Sequence, residues 1–119
     1  MLKVQTYLAS SHGLGVFAGE DIPRGAVVWE LDPRLDQLLE EMPTKEPERG
    51  FVFKYGYRDR HTGLIVVCLD NARFMNHADD ANTTSVPANG YAYGADVATR
   101  DIRKGEEITC NYRVIHAGE

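Results

Sequence analysis

Between Met1 and Leu8 the side chains alternate. Leu2, Val4, Thr6 and Leu8 fall on one side and Lys3, Gln5 and Tyr7 on the other, the period of a half-buried strand. Ser10-Ser11-His12-Gly13 breaks the pattern as a turn. Ala26 to Leu31 is apolar and β-prone and predicts a second strand. Asp32-Pro33 predicts a helix start, with Asp32 as cap and Pro33 in the first position. Leu35, Leu38 and Leu39 would share its inner face, and Glu40-Glu41-Met42-Pro43 would end it. Thr44 to Gly50 reads as a charged loop. Phe51 to Tyr57 and Leu64 to Leu69 read as two strands joined by a polar loop. Val86 and Tyr91-Ala92-Tyr93 flank Asn89-Gly90, the favoured pair for a tight hairpin turn. The expected class is mostly β, a β-plus-short-helix domain of several small sheets.

One turn occurs twice. Asp21-Ile22-Pro23-Arg24-Gly25 leads into the strand at Ala26, and Asp101-Ile102-Arg103-Lys104-Gly105 leads into Glu106 to Thr109. The shared D-I-x-x-G pattern predicts one structural job done twice. Only the turn is shared, so no repeat architecture follows.

The length, 119 residues, suits one domain over 1–119 with a core of its own. The formal charge of −5 disfavours direct nucleic-acid binding and favours a basic partner. No secretory segment or long apolar span is present, which predicts a soluble cytosolic protein without membrane contact. Cys68 and Cys110 form no metal-binding spacing and read as free thiols. No metal site is expected.

The densest chemistry lies in Asn71-Ala72-Arg73-Phe74-Met75-Asn76-His77-Ala78-Asp79-Asp80-Ala81-Asn82. A polar surface turn explains such a run; if buried, these side chains must be paired with backbone or ligand. Gly13 and Gly15 flank Leu14, where glycine admits positive φ and close ligand approach. A simple turn explains that too, and the third glycine of a dinucleotide fingerprint is missing. Glu106, Glu107, Asp79 and Asp80 read mostly as a solvated acidic edge. His12, His61, His77 and His116 are scattered and read as surface or structural histidines. No nucleophile elbow G-x-S-x-G is present. Of six tyrosines, most read as packing; Tyr112 stands apart at the end of Gly105-Glu106-Glu107-Ile108-Thr109-Cys110-Asn111-Tyr112.

Taken together, the G-x-G turn, the R-F-x-N-H run and the G-E-E-I-T close, in that order over residues 11 to 112, resemble the SET-domain protein lysine methyltransferases. The resemblance implies a β-clip-like SET fold with a C-terminal pseudoknot, and an insert at about 35–63 that reads the peptide. It implies S-adenosylmethionine as cofactor, held by His12, Gly13, Leu14 and Gly15 at its methionine part. Asn76 and His77 would hold its amino end and adenine edge, with Arg73 and Phe74 in support. Tyr112 becomes the expected catalytic tyrosine. Tyr55 and Tyr57 would line the substrate channel opposite it. The implied substrate is a lysine-containing protein or peptide, histone or histone-like, and a nuclear location follows if the source is eukaryotic or viral.

The chain departs from the family pattern at Ala78, Ala81 and Asn111, where Ser, Pro and Asp are usual. Past Tyr112 only seven residues remain, Val114, Ile115 and His116 among them, so the cysteine-rich zinc segment of larger members is expected to be missing. A homodimer, as in small viral members, could supply that wall. Two rival readings stay open on sequence alone: a SET-fold binding or scaffolding module without turnover, and a β-rich domain with chance motifs.

Overall fold

The computed structural model describes residues 1–11, 13–59, 63–86 and 94–112. Their elements form three small sheets and one short helix.

The first sheet holds the site. The alternation from Met1 is seen as read, with Leu2, Val4, Thr6 and Leu8 turned inward and Lys3, Gln5 and Tyr7 outward. Strand β1 (Thr6–Ser11) pairs antiparallel with β2 (Gly13–Ala18) in a tight hairpin. The G-x-G run is therefore the opening of a strand, not a separate turn. On the outer face Tyr7 stacks on its cross-strand partner Phe17 at 5.7 Å. Strand β2 continues to the last strand of the described chain, β10 (Glu107–Cys110), antiparallel. Further along, the last two residues of β10 meet the two-residue β7 (Asn76–His77) in parallel.

The second sheet orders β3 (Val27–Glu30), β9 (Ala95–Ala98) and β8 (Thr83–Val86). The predicted Asn89-Gly90 turn lies outside the described residues. The third orders β4 (Gln37–Leu39), β6 (Ile65–Val67) and β5 (Gly56–Arg58).

Two expectations are corrected here. The helix from Asp32 is absent: Asp32 caps a turn by accepting from the Arg34 backbone and guanidinium, and Gln37–Leu39 then pairs antiparallel with β6. The leucines serve a strand because β6, wholly buried, offers them a partner edge. Conversely, Phe51 to Tyr55 is helical, in α1 (Glu48–Tyr55). Its side chains meet at helical spacing: Phe51 and Tyr55, one turn apart, have ring centroids 5.1 Å from each other, while Val52 is buried against Ile65 and Val67. The hairpin survives in shortened form as β5 with β6.

The twin D-I-x-x-G turns clasp each other. Ile22 and Ile102 exchange backbone hydrogen bonds of 2.7 and 2.8 Å. Each aspartate caps the other's turn, Asp101 accepting from the Arg24 amide at 2.8 Å and Asp21 from the Lys104 amide at 2.9 Å. Gly25 and Gly105 hold φ of +85° and +94°, which a side chain rarely adopts. Both isoleucines sit in the main core with Val16, Val28 and Ile108. The expectation of one job done twice is met by mutual capping.

Asn82, almost fully buried, substitutes for a strand along β10. Its side-chain amide donates to the Glu107 carbonyl at 2.8 Å, and its oxygen accepts from the Thr109 amide at 2.9 Å. Asn82→Ala orphans two backbone groups, each costing about 1–3 kcal/mol. Asp101→Ala frees an exposed amide that water satisfies and costs about 1 kcal/mol or less. Urea unfolding of the two variants should give that order; a milder effect at Asn82 than at Asp101 would refute it.

Candidate functional site

Three segments far apart in sequence converge where β2, β7 and β10 run side by side. The 3-10 turn η1 (Asn71–Phe74) delivers the polar run to this place. Asp70 starts it by accepting from the Ala72 amide at 3.1 Å, and the Leu2 amide also donates to Asp70, at 2.7 Å. Arg73 closes it, donating to the carbonyls of Asp70 and Leu69 and stacking 4.4 Å above the Phe74 ring.

Asn76 then enters β7 and ties all three segments together. Its amide nitrogen donates to the Glu107 carboxylate at 2.8 Å and to the Leu14 carbonyl at 3.3 Å. A Cβ on Gly15 would come within 2.5 Å of the Glu107 carboxylate and 3.1 Å of the Asn76 amide. Gly15 is thus the gap that this pair fills. Gly13 differs: a Cβ there meets nothing within 4 Å, but its φ of +80° disfavours one. Glu107, expected on a solvated edge, is half-buried and is part of the site. The sequence signal was its register: it opens β10 opposite Phe17, beside the glycines.

His77 is exposed. Its Nε2 lies 2.9 Å from Asp79, and its Nδ1 accepts from the Tyr112 backbone amide at 3.0 Å. The Tyr112 ring rests 5.2 Å from the imidazole, and its hydroxyl donates to the Met75 carbonyl at 2.7 Å. Burial pushes the Tyr112 phenol up, and the neighbouring Cys110 adds to the shift. His12 lies outside the described residues, as do residues 113–119.

Two hollows meet at Tyr112. An open cleft of about 340 Å³ is lined by Gly13, Leu14, Phe74 and Asn76. A smaller cavity of about 110 Å³ lies behind, walled by Trp29, Tyr57, Cys68, Asp96 and Cys110. Lys54, Tyr55, Arg73, Met75 and Tyr112 border both. Tyr55 and Tyr57, the residues read as channel walls, both border the inner cavity, but from different elements. Tyr55 ends α1, 6.0 Å edge-on to Phe74, and only Tyr57 is on a strand.

The inner cavity is dry in character. Burial raises the Cys110 thiol to about 12 and drives Tyr57 and Cys68 well above their ordinary values. Both cysteines are free and buried. Burial also pushes the Asp96 carboxyl up to about 7; the Met1 ammonium opposes this and the Asp59 carboxylate reinforces it. Asp96 keeps some accessible surface, yet aromatic rings and sulfur around it replace most of its hydration, so the upward direction holds. The sequence reading passed over Asp96. The available signal was an acid in an otherwise apolar stretch, Ala95-Asp96-Val97-Ala98.

Among the described residues no group of three or more His, Cys, Asp or Glu gathers to hold a metal ion. No helix among them is long and apolar enough to cross a membrane.

Comparison with known proteins adds to this geometry. A family model described as SET domain matches residues 13–113. A search of curated proteins finds no match. Among solved structures, the Chaetomium thermophilum Polycomb Repressive Complex 2 bound to GSK126 aligns at 26% identity with a TM-score of 0.68, covering 97% of this chain and 16% of that one. The same organism's complex with H3K27me3 and H3K27M aligns at 28% identity and 0.66, covering 92% and 14%. The chain thus spans about a seventh of these proteins. A Plasmodium falciparum protein assigned as a histone methyltransferase matches over 93% of this chain and 95% of its own, at 20% identity and TM-score 0.60, and shares the fold.

The site generates two predictions. Gly13→Ala should cost about 1 kcal/mol through its φ, whereas Gly15→Ala should leave the fold intact while displacing the Asn76–Glu107 pair, seen as a shifted Asn76 side-chain amide resonance. An unmoved resonance would refute the second. The raised Asp96 favours its proton in the folded state, so its contribution is full below about pH 4 and is lost as pH rises through about 7. Asp96→Asn, which cannot ionise, should gain melting temperature over wild type across that window. A difference that does not change with pH would show Asp96 to be an ordinary carboxylate.

Proposed function

Because the chain belongs to the SET-domain family, we propose that it transfers a methyl group from S-adenosylmethionine to the ε-amine of a protein lysine. The observation that carries the proposal is the pair of hollows that share Tyr112 in their walls, one open and partly polar, the other narrow and aromatic.

The cleft fits the cofactor. Gly13 leaves open space above the backbone. Among the described residues, the Asn76 side-chain oxygen has no donor, since both side-chain bonds use the amide nitrogen. It is an acceptor suited to an α-ammonium, with the Glu107 carboxylate beside it. Leu14, 44% exposed, and Phe74 offer apolar faces to a flat ring. His77, next along the chain from Asn76, accepts from the Tyr112 backbone amide and so links the Asn76 segment to the residue shared by both hollows.

When bound, S-adenosylmethionine supplies an electrophilic methyl group on a sulfonium. The residues then have two tasks. The first is to admit a lysine as its neutral amine. A free lysine has a pKa of about 10.4, so neutralisation at pH 7 costs about 4.6 kcal/mol; a dry wall of Trp29, Tyr55 and Tyr57 disfavours the ammonium and lowers that cost. The second is alignment. Tyr112, in the wall of both hollows and with its hydroxyl held by the Met75 carbonyl, is the residue we assign to this alignment. Positioning of this kind supplies much of the rate, and weak C–H···O contacts to carbonyl and hydroxyl oxygens orient the methyl.

The charge of −5 suits a basic substrate segment, and histone tails are the first candidates. A second copy walling the open cleft, and a pseudoknotted passage of β10 beside Asn82, belong to the same reading.

Incubation with radiolabelled S-adenosylmethionine and a panel of cell proteins and histones should label at least one protein, or the chain itself at Lys3, Lys45, Lys54 or Lys104. In calorimetry, S-adenosylhomocysteine should bind one site, weakened roughly 1–3 kcal/mol by Asn76→Ala. Tyr112→Phe should keep fold and cofactor affinity while the rate falls about tenfold for each 1.36 kcal/mol of transition-state stabilisation that the hydroxyl supplied. Binding without transfer would make the chain a cofactor-binding module; no binding would overturn the proposal.

A further inference from the structure

The inner cavity contains more than a hydrophobic tube needs. Trp29, on β3, is 4% exposed, and its indole N–H has no hydrogen-bond partner among the described residues. Directly across the ladder, its register partner is Asp96 on β9. Both line the cavity. Among the described residues, no hydrogen bond or ion pair reaches the Asp96 carboxylate. A buried donor without a partner and a spare carboxylate thus belong to two residues that line one small hollow, and leaving such groups unanswered in a dry place is costly. A core built only for packing would have an apolar side chain at position 96.

We propose that Asp96 is the substrate-recognising acid of this site: its carboxylate receives the ε-ammonium of the incoming lysine and takes one proton from it before methyl transfer. The proposal rests on the methyltransferase reading above for its second half and on the cavity alone for its first. In the step, a nitrogen–hydrogen bond breaks and an oxygen–hydrogen bond forms at Asp96. The nitrogen lone pair so freed bonds to the methyl carbon as the carbon–sulfur bond breaks, leaving its electron pair on sulfur. Asp96 then releases its proton to water and is ionised again.

The surroundings decide whether this carboxyl can serve. Burial and Asp59 weaken its hold on negative charge, and the Met1 ammonium restores some. Tyr57 and Cys68 stay protonated on their side of the cavity, as does Cys110 from β10. Lys54 and Arg73 border the mouth shared with the cleft, and neither forms an ion pair with Asp96. The result is a proton acceptor whose affinity, about 7, is close to working pH, the range in which an acid–base group is most effective. The neutral amine left behind suits the aromatic walls better than the ammonium did.

Trp29 is the sole tryptophan of the chain, so its emission reports on this cavity without a label. The probe is n-butylammonium, the charged end of a lysine side chain, with n-butanol as its uncharged counterpart. For the wild-type protein, n-butylammonium should shift Trp29 emission saturably at about pH 8, and its affinity should fall roughly tenfold or more by about pH 5, as Asp96 takes its own proton. Asp96→Asn should show the weak affinity at both pH values, and n-butanol should bind both proteins alike. The pH series needs no variant, so a variant that fails to fold does not decide the matter. If n-butylammonium binds equally at both pH values, or equally to wild type and Asp96→Asn, Asp96 does not recognise the amine and the proposal falls, even if the protein transfers methyl groups. If binding depends on Asp96 but no methyl group is transferred to any protein, the recognition stands and the methyltransferase reading fails. Where transfer is measured, Asp96→Asn should move the rising limb of the pH–rate profile upward; an unmoved limb overturns the proton-accepting role.

Discussion

Strand β10 has hydrogen-bonding partners on both edges and no slack on either. Along one edge Glu107 and Ile108 pair with β2 and then Thr109 and Cys110 with β7, which leaves the groups of the opposite edge to side chains. Asn82 supplies by side chain the bonds that a further strand would supply by backbone, and the Thr83 hydroxyl adds a bond of 2.6 Å to the Thr109 carbonyl. A buried backbone group must be matched, so this four-residue segment can lie in only one register. That register sets Glu107 against Asn76 and Gly15, sends Cys110 toward the inner cavity, and delivers Tyr112 to the boundary between the two hollows. The site is the by-product of satisfying one strand.

Much of this was legible in the residues. The alternation from Met1 to Leu8, the strand after Ala26 and the twin turns follow from period and turn chemistry, which are local properties. The gathering of Gly13, Leu14, Gly15, Asn76 and Tyr112 was reached through resemblance, because nothing local says that residue 15 lies beside residue 107. Two elements were misread where tertiary contact overrode local pattern. Leu38 and Leu39 look helical but pair with the buried β6. Phe51 to Tyr55 looks extended, yet it coils so that Phe51 meets Tyr55 one helical turn on.

The acidic residues show the same limit. Glu106, Glu107, Asp79 and Asp80 form one cluster in composition but do four things in space. Glu106 accepts from the Arg103 amide at 3.0 Å, Glu107 from Asn76, and Asp79 faces His77, while Asp80 lies 3.8 Å from Arg100 in full exposure. Asp96, in an apolar stretch of β9, is the acid whose carboxyl is pushed upward by its surroundings. The energetic meaning of a carboxylate depends on its neighbours' ability to hydrate or pair it, and that information is in the fold.

The clasp between the two D-I-x-x-G turns has a bearing on how the molecule comes to exist. Its capping bonds join residues 77 and 83 positions apart, and β7 and β10 pair across a shorter but still long gap. Contacts of such span close a long loop before they return any energy, and topologies dominated by them fold slowly. The early segments, the β1–β2 hairpin foremost, can form on local contacts. They must then wait with the apolar edge of β2 unpaired until β10 arrives. Cleft, cavity and clasp therefore appear together, at the final step of assembly, and a chain interrupted before that step would carry an exposed strand edge ready to pair with another molecule.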